Sequence, residues 1–229
     1  MKKIGMVNAV LVGKIVPFAK GSQSAINKKL TTDRQQASRL GFIHDEQGDR
    51  RFHGGVEKAL HCYASEHYPE WRKELGEKPI FQALGAFGEN ISSIGLNEDT
   101  ICLKDKIRIG TTLLEVSQGR MPCWKLNIRF EQHDMAQRLQ NTLRTGWYFR
   151  VLDEGYIGEG DEIILCDRPY PDWPLSRIMK LIFEGCLDEQ ALQQVLNLPL
   201  VDSWRKLVEN RLEKHLVEDW SSRLYGPEE

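Results

Sequence analysis

The stretch TICLKDKIRIGTTLLEV, residues 100–116, reads as two β-strands folded back at Gly110. Apolar and β-branched residues flank a glycine that can turn the chain without a Cβ clash. Working outward, Val10 to Val16 is a second β-rich apolar run, and Ala59 to Ala64 (ALHCYA) is a third. Beyond residue 116 come GWYFRVL at 146–152 and GDEIILC at 160–166. Several strands with glycine-rich joints and no regular alternation with helices predict a closed barrel over a doubly wound parallel sheet. The class is mainly β with α additions.

Two helices are expected to flank the barrel. Ser65 is placed to cap a helix through Leu75, with Glu66 and Glu70 at its positive end. Glu131 to Leu143 carries Met135, Leu139 and Leu143 at four-residue spacing, one apolar stripe. RPYPDWP at 168–174 then stiffens the chain with three prolines and ends the strand-rich region. Three helical patterns follow it: Leu175 to Phe183, Asp188 to Leu196, and Val201 to about Leu224. Their stripes can bury against one another, with Trp173, Trp204 and Trp220 as bundle core. The expected organisation is a barrel domain over residues 1–169 and a three-helix bundle over 170–229.

Composition limits the function. A chain of 229 residues with 41% hydrophobic residues can bury its own core. The formal net charge of -2 supplies no global attraction to nucleic acid or anionic lipid, so any hold on an anion must be local. Five cysteines, at 62, 102, 123, 166 and 186, are odd in number and include no C-x-x-C pair, which argues against a disulfide framework and for a reducing compartment. The opening MKKIGMVNAVLVGKIV resembles a secretory signal, but Asn8 and Lys14 interrupt it, and a buried first strand is expected instead. No apolar run is long enough to span a bilayer, which needs about 20 residues. A cytoplasmic protein without membrane or nucleic-acid partners is expected.

Three stretches can carry chemistry. In SQGRMPCWKLN, 117–127, Pro122 stiffens the backbone before Cys123, and Arg120 and Lys125 are close enough to favour its thiolate, the form that attacks or ligates metal. A buried structural cysteine is the competing reading. In RFHGGVEKALHCY, 51–63, His53 precedes two glycines, Gly54 and Gly55, whose amides can hold an oxyanion, and Lys58 and His61 follow. His53, His61 and Cys123 could ligate a metal together, although their spacing matches no standard zinc motif. In GAFGENIS, 85–92, Glu89 and Asn90 come off a tight loop. No phosphate loop, dinucleotide fingerprint or G-x-S-x-G elbow is present.

Taken in order, HGG with the following lysine, FGEN and PCWKLN, then GWYFRV and GEGDEI, resemble the MOSC domain. That family is named for the C-terminal domain of molybdenum cofactor sulfurase, and the likeness is to its free-standing bacterial YiiM-type members. The resemblance covers essentially the whole chain. It implies a β-barrel with flanking helices and a C-terminal three-helix extension. It also implies the pterin-based molybdenum cofactor, with Cys123 as the metal ligand; pyridoxal phosphate is not expected. Thiolate is a soft ligand that cationic neighbours keep deprotonated. Lys58, Arg120 and the Gly54 and Gly55 amides would anchor the anionic tail of the cofactor, and Asn90 and Asn127 its pterin edge, with Ser117 and Lys125 completing the cofactor-binding set. The implied activity is reduction of N-hydroxylated compounds, such as 6-hydroxylaminopurine, to amines. An external electron-donating reductase would be needed, Glu89 or His53 would relay protons, and the helical extension could dock that reductase or a second subunit, as in a homodimer.

Two readings compete. A non-catalytic carrier would hold the cofactor or a persulfide sulfur on Cys123, and a cysteine hydrolase would pair Cys123 with His53 or His61 as base.

Overall fold

The computed structural model describes residues 1–48 and 54–227. Thirteen strands are found among them, and seven close into a barrel. β1 (Lys2–Val12), β7 (Leu60–Ala64), β8 (Ile91–Ile94), β9 (Lys106–Ile109), β10 (Thr112–Gly119), β11 (Trp147–Asp153) and β13 (Glu162–Asp167) run in the order β13-β9-β10-β11-β7-β8-β1, and β1 pairs again with β13. β4 (Lys29–Thr31) adds to β1 outside the ring. The 100–116 stretch forms its hairpin as expected, with Thr112 opposite Ile109 and Gly110 at φ 57°. Residues 100–105 are turns and a bridge instead of strand.

Alternation explains the closure. Ile107 and Ile109, Leu114 and Val116, and Trp147, Phe149 and Val151 are all buried at period two, so each strand sends one face inward. β7 and β8 are parallel, with Cys62 opposite Ile91. A parallel pair requires a long crossover, and residues 65–90 supply it with α1 (His67–Leu75) and a short 3-10 turn at Pro79–Gln82. The helix begins two residues after Ser65, whose carbonyl, not its hydroxyl, accepts from the Tyr68 amide. The crossover packs on the barrel through an aromatic cluster in which Tyr63 stacks on Phe87 at 4.1 Å, with Tyr68, Trp71, Phe81 and Phe130 around them. Two more helices, α2 (Lys125–Arg129) and α3 (Met135–Thr142), follow β10, and Met135 and Leu139 are buried in the same cluster.

The last third forms α4 (Leu175–Phe183), α5 (Glu189–Leu196), α6 (Asp202–Lys214) and α7 (Ser221–Tyr225). Asp188 caps α5 by accepting from the Ala191 amide at 2.7 Å. The apolar stripes do more than bury one another. Leu175, Ile178, Met179 and Ile182 of α4 belong to one continuous core with the barrel interior and with Leu192, Val195, Trp204 and Val208. Trp204 is fully buried, and Trp173 and Trp220 pack half-buried against that core.

The sequence pattern predicts a single helix from Val201 to about Leu224; the structure ends it at Lys214, with His215 left-handed at φ 50°. The reason lies in Arg211. Its buried guanidinium donates to the carbonyls of Leu181, Ile182 and Cys186 and pairs with Glu218, which requires the chain to double back.

Candidate functional site

Cys123 lies in the irregular segment between β10 and α2, and its carbonyl accepts from the Leu126 amide to begin that helix. The thiol is half-buried on the wall of a cleft, unlike Cys62 and Cys102, which are sealed in the core. The cleft has a cavity volume of about 80 Å³, and its empty space, open solvent included, is about 610 Å³.

The structure brings Lys58, His61, Asn90, Arg120 and Lys125 to the same cleft as Cys123. β10 ends at Gly119, and the Arg120 amide donates to the Gly146 carbonyl at 2.9 Å, which fixes where the side chain leaves the barrel. The guanidinium of Arg120 donates to the Phe87 carbonyl at 2.9 Å, and the ammonium of Lys125 donates to the Gln23 carbonyl at 2.6 Å. Both cations use hydrogen bonds to neutral carbonyls, so their charge stays available to the cleft. Lys58 sits with its ammonium 5.9 Å from the centroid of the Tyr148 ring. Burial lowers its pKa, and Cys123 opposes that shift. Burial likewise raises the Tyr148 phenol, against Arg120.

His61 is the neutral member of the site. Burial, with the Arg120 charge second, holds its pKa well below the ordinary histidine value. Its ring packs 5.1 Å from that of Tyr148, with Nε2 3.4 Å from the Thr145 carbonyl and a further bond to the Gly88 backbone. Its nitrogens thus have backbone partners, and among the described residues no hydrogen bond joins the ring to Cys123.

Other expected residues fall elsewhere. Glu89 is fully buried off the cleft, accepting from the Tyr68 hydroxyl at 2.5 Å, the Gly85 amide at 2.8 Å and the Phe87 amide at 3.1 Å. It organises the 85–90 loop. Ser117 is buried and donates to the carbonyls of Glu57 and Tyr148. Asn127 donates to the Leu224 carbonyl and accepts from the Ala136 amide, tying α2 to α3 and α7. Gly54 and Gly55 precede the 3-10 turn Val56–Lys58, and Gly55, at φ 87°, borders a separate surface hollow with Ser38 and Gln47. His53 lies outside the described residues.

Three contributors carried no sequence signal or a slight one. Lys28 and Asp45 form a buried ion pair on the cleft wall. Asp45 also accepts from the Gly13 amide at 2.6 Å and from the Asn90 side chain at 2.9 Å, which locks Asn90 in place. Both come from irregular segments without a motif. Tyr148 was legible in principle, because alternation in GWYFRVL sends it opposite to Trp147 and Phe149.

Among the described residues no group of three or more His, Cys, Asp or Glu side chains is arranged to hold a metal ion. A metal at Cys123 would need donors beyond the described His, Cys, Asp and Glu side chains to complete its shell. A soft sulfur donor at an open cleft among Lys58, Arg120 and Lys125 fits an anionic, metal-bearing ligand. No helix among the described residues is long and apolar enough to cross a membrane.

Comparison with known proteins agrees with the architecture. The MOSC domain family profile matches residues 49–164, and that of the YiiM-like, 3-alpha helix domain matches 173–215. Protein YiiM of Escherichia coli is 34% identical over 218 residues, 95% of this chain and 97% of its own. A protein of Gibberella moniliformis named "Reductase" is 36% identical over 213 residues, 92% of this chain; the match spans only 38% of that longer relative. The crystal structure of YiiM from Escherichia coli superposes with a TM-score of 0.81 at 29% identity, covering 97% of this chain and 99% of that one. A closed barrel with a thiol at its cleft, continued by helices that share its core, is thus accompanied by both family matches, and the chain belongs to the MOSC domain family, in the group that carries the YiiM-like three-helix domain.

Proposed function

We propose that this protein binds the pterin-based molybdenum cofactor through Cys123 and reduces N-hydroxylated compounds to amines. The observation that carries the reading is the placement of Cys123: a half-buried thiol on the wall of a cleft lined by Lys58, Arg120 and Lys125. The family match and the relative named "Reductase" support a cofactor-linked redox role in general terms.

When bound, the cofactor supplies the two-electron chemistry that removes oxygen from the N–hydroxyl group; the balance is R–NHOH plus two electrons and two protons giving R–NH2 and water. The chain's own residues do the rest. Cys123 provides the sulfur ligand, and Pro122 limits its freedom. Arg120 and Lys125 hold positive charge beside it and favour an anionic ligand. Lys58 and Asn90 also line the cleft and would contact the rest of such a cofactor. Lys58 and Tyr148 line the cleft beside the thiol, and burial lowers the one pKa and raises the other. Electrons come from an external electron-donating reductase.

The test is elemental analysis of protein made in a molybdate-fed host, followed by turnover of an N-hydroxylated purine with a chemical reductant. Wild type should carry molybdenum and form amine, and Cys123→Ala and Cys123→Ser should lose both at least tenfold while remaining folded. Equal molybdenum and turnover in the variants would end the proposal. A sulfur adduct on Cys123 with no turnover would replace the reductase with a carrier.

A further inference from the structure

The final segment of the chain, residues 216–227, falls outside both matched family regions. It nevertheless returns to the cysteine. The Arg223 guanidinium donates through Nη1 to the Pro122 carbonyl at 2.5 Å and through Nη2 to the Gln140 side chain at 2.7 Å. The Arg223 carbonyl accepts from the Trp124 amide at 2.8 Å. One residue therefore grips the chain immediately before and immediately after Cys123.

Neighbouring contacts reinforce the junction. Asn127 donates to the Leu224 carbonyl at 2.7 Å, and Lys20 donates to the Pro227 carbonyl at 3.0 Å. The Trp220 ring has two guanidiniums near it, Arg223 at 4.9 Å and Arg211 at 5.6 Å from its centroid. Arg211 is the residue that ties α4 to α6 and Glu218. A continuous set of contacts thus runs from the helical extension, through Trp220 and Arg223, to the peptide bonds around the thiol. Burial lowers the Arg223 pKa, and the Cys123 sulfur opposes that shift. Arg223 does not line the cleft.

We propose that Arg223 is a positioning residue for Cys123, and that the C-terminal segment is the clamp through which the helical extension sets the sulfur in the cleft. The proposal rests on Cys123 being the reactive thiol, but its central measurement needs neither cofactor nor substrate. The two acceptors are met by two different nitrogens, Nη1 and Nη2, a fixed fork that the single nitrogen of a lysine does not reproduce.

The experiment is hydrogen–deuterium exchange on full-length protein without cofactor, read at the peptide covering residues 121–128, for wild type, Arg223→Ala and Arg223→Lys. The expected result is exchange at least tenfold faster in Arg223→Ala and intermediate in Arg223→Lys, with β10 and α1 within twofold of wild type. In cofactor-loaded protein the same variants should lower kcat at least tenfold and leave KM within twofold. If Arg223→Ala fails to fold, Gly226→Ala tests the same junction: at φ 93° a new Cβ is strained and would meet the Trp124 ring at 3.3 Å. Unchanged exchange at 121–128, an equal rise throughout the barrel, or a KM change with kcat intact would each overturn the proposal. Should wild type hold no molybdenum, the function proposed above fails while the exchange result still decides the clamp.

Discussion

Replacing Glu89 by glutamine separates a loop-organising carboxylate from a proton relay. The side chain is fully buried, with the Tyr68 hydroxyl and the Gly85 amide on Oε1 and the Phe87 amide on Oε2. Burial and the adjacent carboxylate push the Tyr68 phenol well above its ordinary range, so it remains a donor. Glutamine keeps one oxygen and can satisfy the first two donors. Its amide nitrogen then faces the Phe87 N–H, donor against donor. One bond to a charged acceptor is lost, about 1.5–3 kcal/mol, and a buried donor is stranded, about 1–3 kcal/mol more. The sum is about 2.5–6 kcal/mol. A chain of this size loses roughly 2–4 °C per kcal/mol, so Tm should fall by about 10 °C. The loss should also reach the cleft, because Arg120 is anchored on the Phe87 carbonyl and Arg129 on those of Gly85 and Ala86. Calorimetry of the cofactor-free protein measures the first effect, and exchange at residues 85–90 locates it. A Tm within 2 °C of wild type, together with lost turnover, would refute the argument and return Glu89 to the relay role.

Further outcomes follow from the same contacts. His61 is held neutral when folded and titrates normally when unfolded, so the unfolded chain binds the extra proton below about pH 6.5 and stability rises with pH up to that point. Urea unfolding of wild type against His61→Gln should show the wild type losing ground by up to about 1.4 kcal/mol per pH unit below 6.5; parallel pH profiles would contradict the assignment. Gly110→Ala should be among the most damaging single changes in the barrel, since φ is 57° and a Cβ would sit 2.2 Å from the Tyr156 carbonyl oxygen. A loss of at least about 2 kcal/mol in denaturant titration is expected, and a neutral result would mean that the hairpin has another way to turn.

The barrel was legible wherever short-range pattern sufficed. Apolar alternation in 106–116 and 147–153 marks an inward face, and a glycine marks the fold between strands, because both depend on neighbours two to four residues away. The amphipathic helices at 175–183 and 189–196 were legible for the same reason. Local pattern failed where a distant partner overrode it. Helical periodicity continues past Lys214, but Arg211 closes on Glu218 and on carbonyls of α4, and the chain bends. Glu89 looked like a loop carboxylate free to act, and only the packing of Tyr68 and the 85–87 amides shows it saturated.

The chemistry divides in the same way. By itself the sequence determined that Cys123 stands behind a proline with cations on either side, since those groups are covalent near-neighbours. Tertiary structure alone decided that Lys28 and Asp45 wall the cleft and that Arg223, a hundred residues further along, holds the peptide on both sides of the sulfur. Closing β1 onto β13 brings the two ends of the barrel sheet together, and burying the Arg211 guanidinium turns the C-terminal segment back toward Cys123. Both are long-range events: their free energy comes from desolvation and hydrogen bonding between segments that no local window contains.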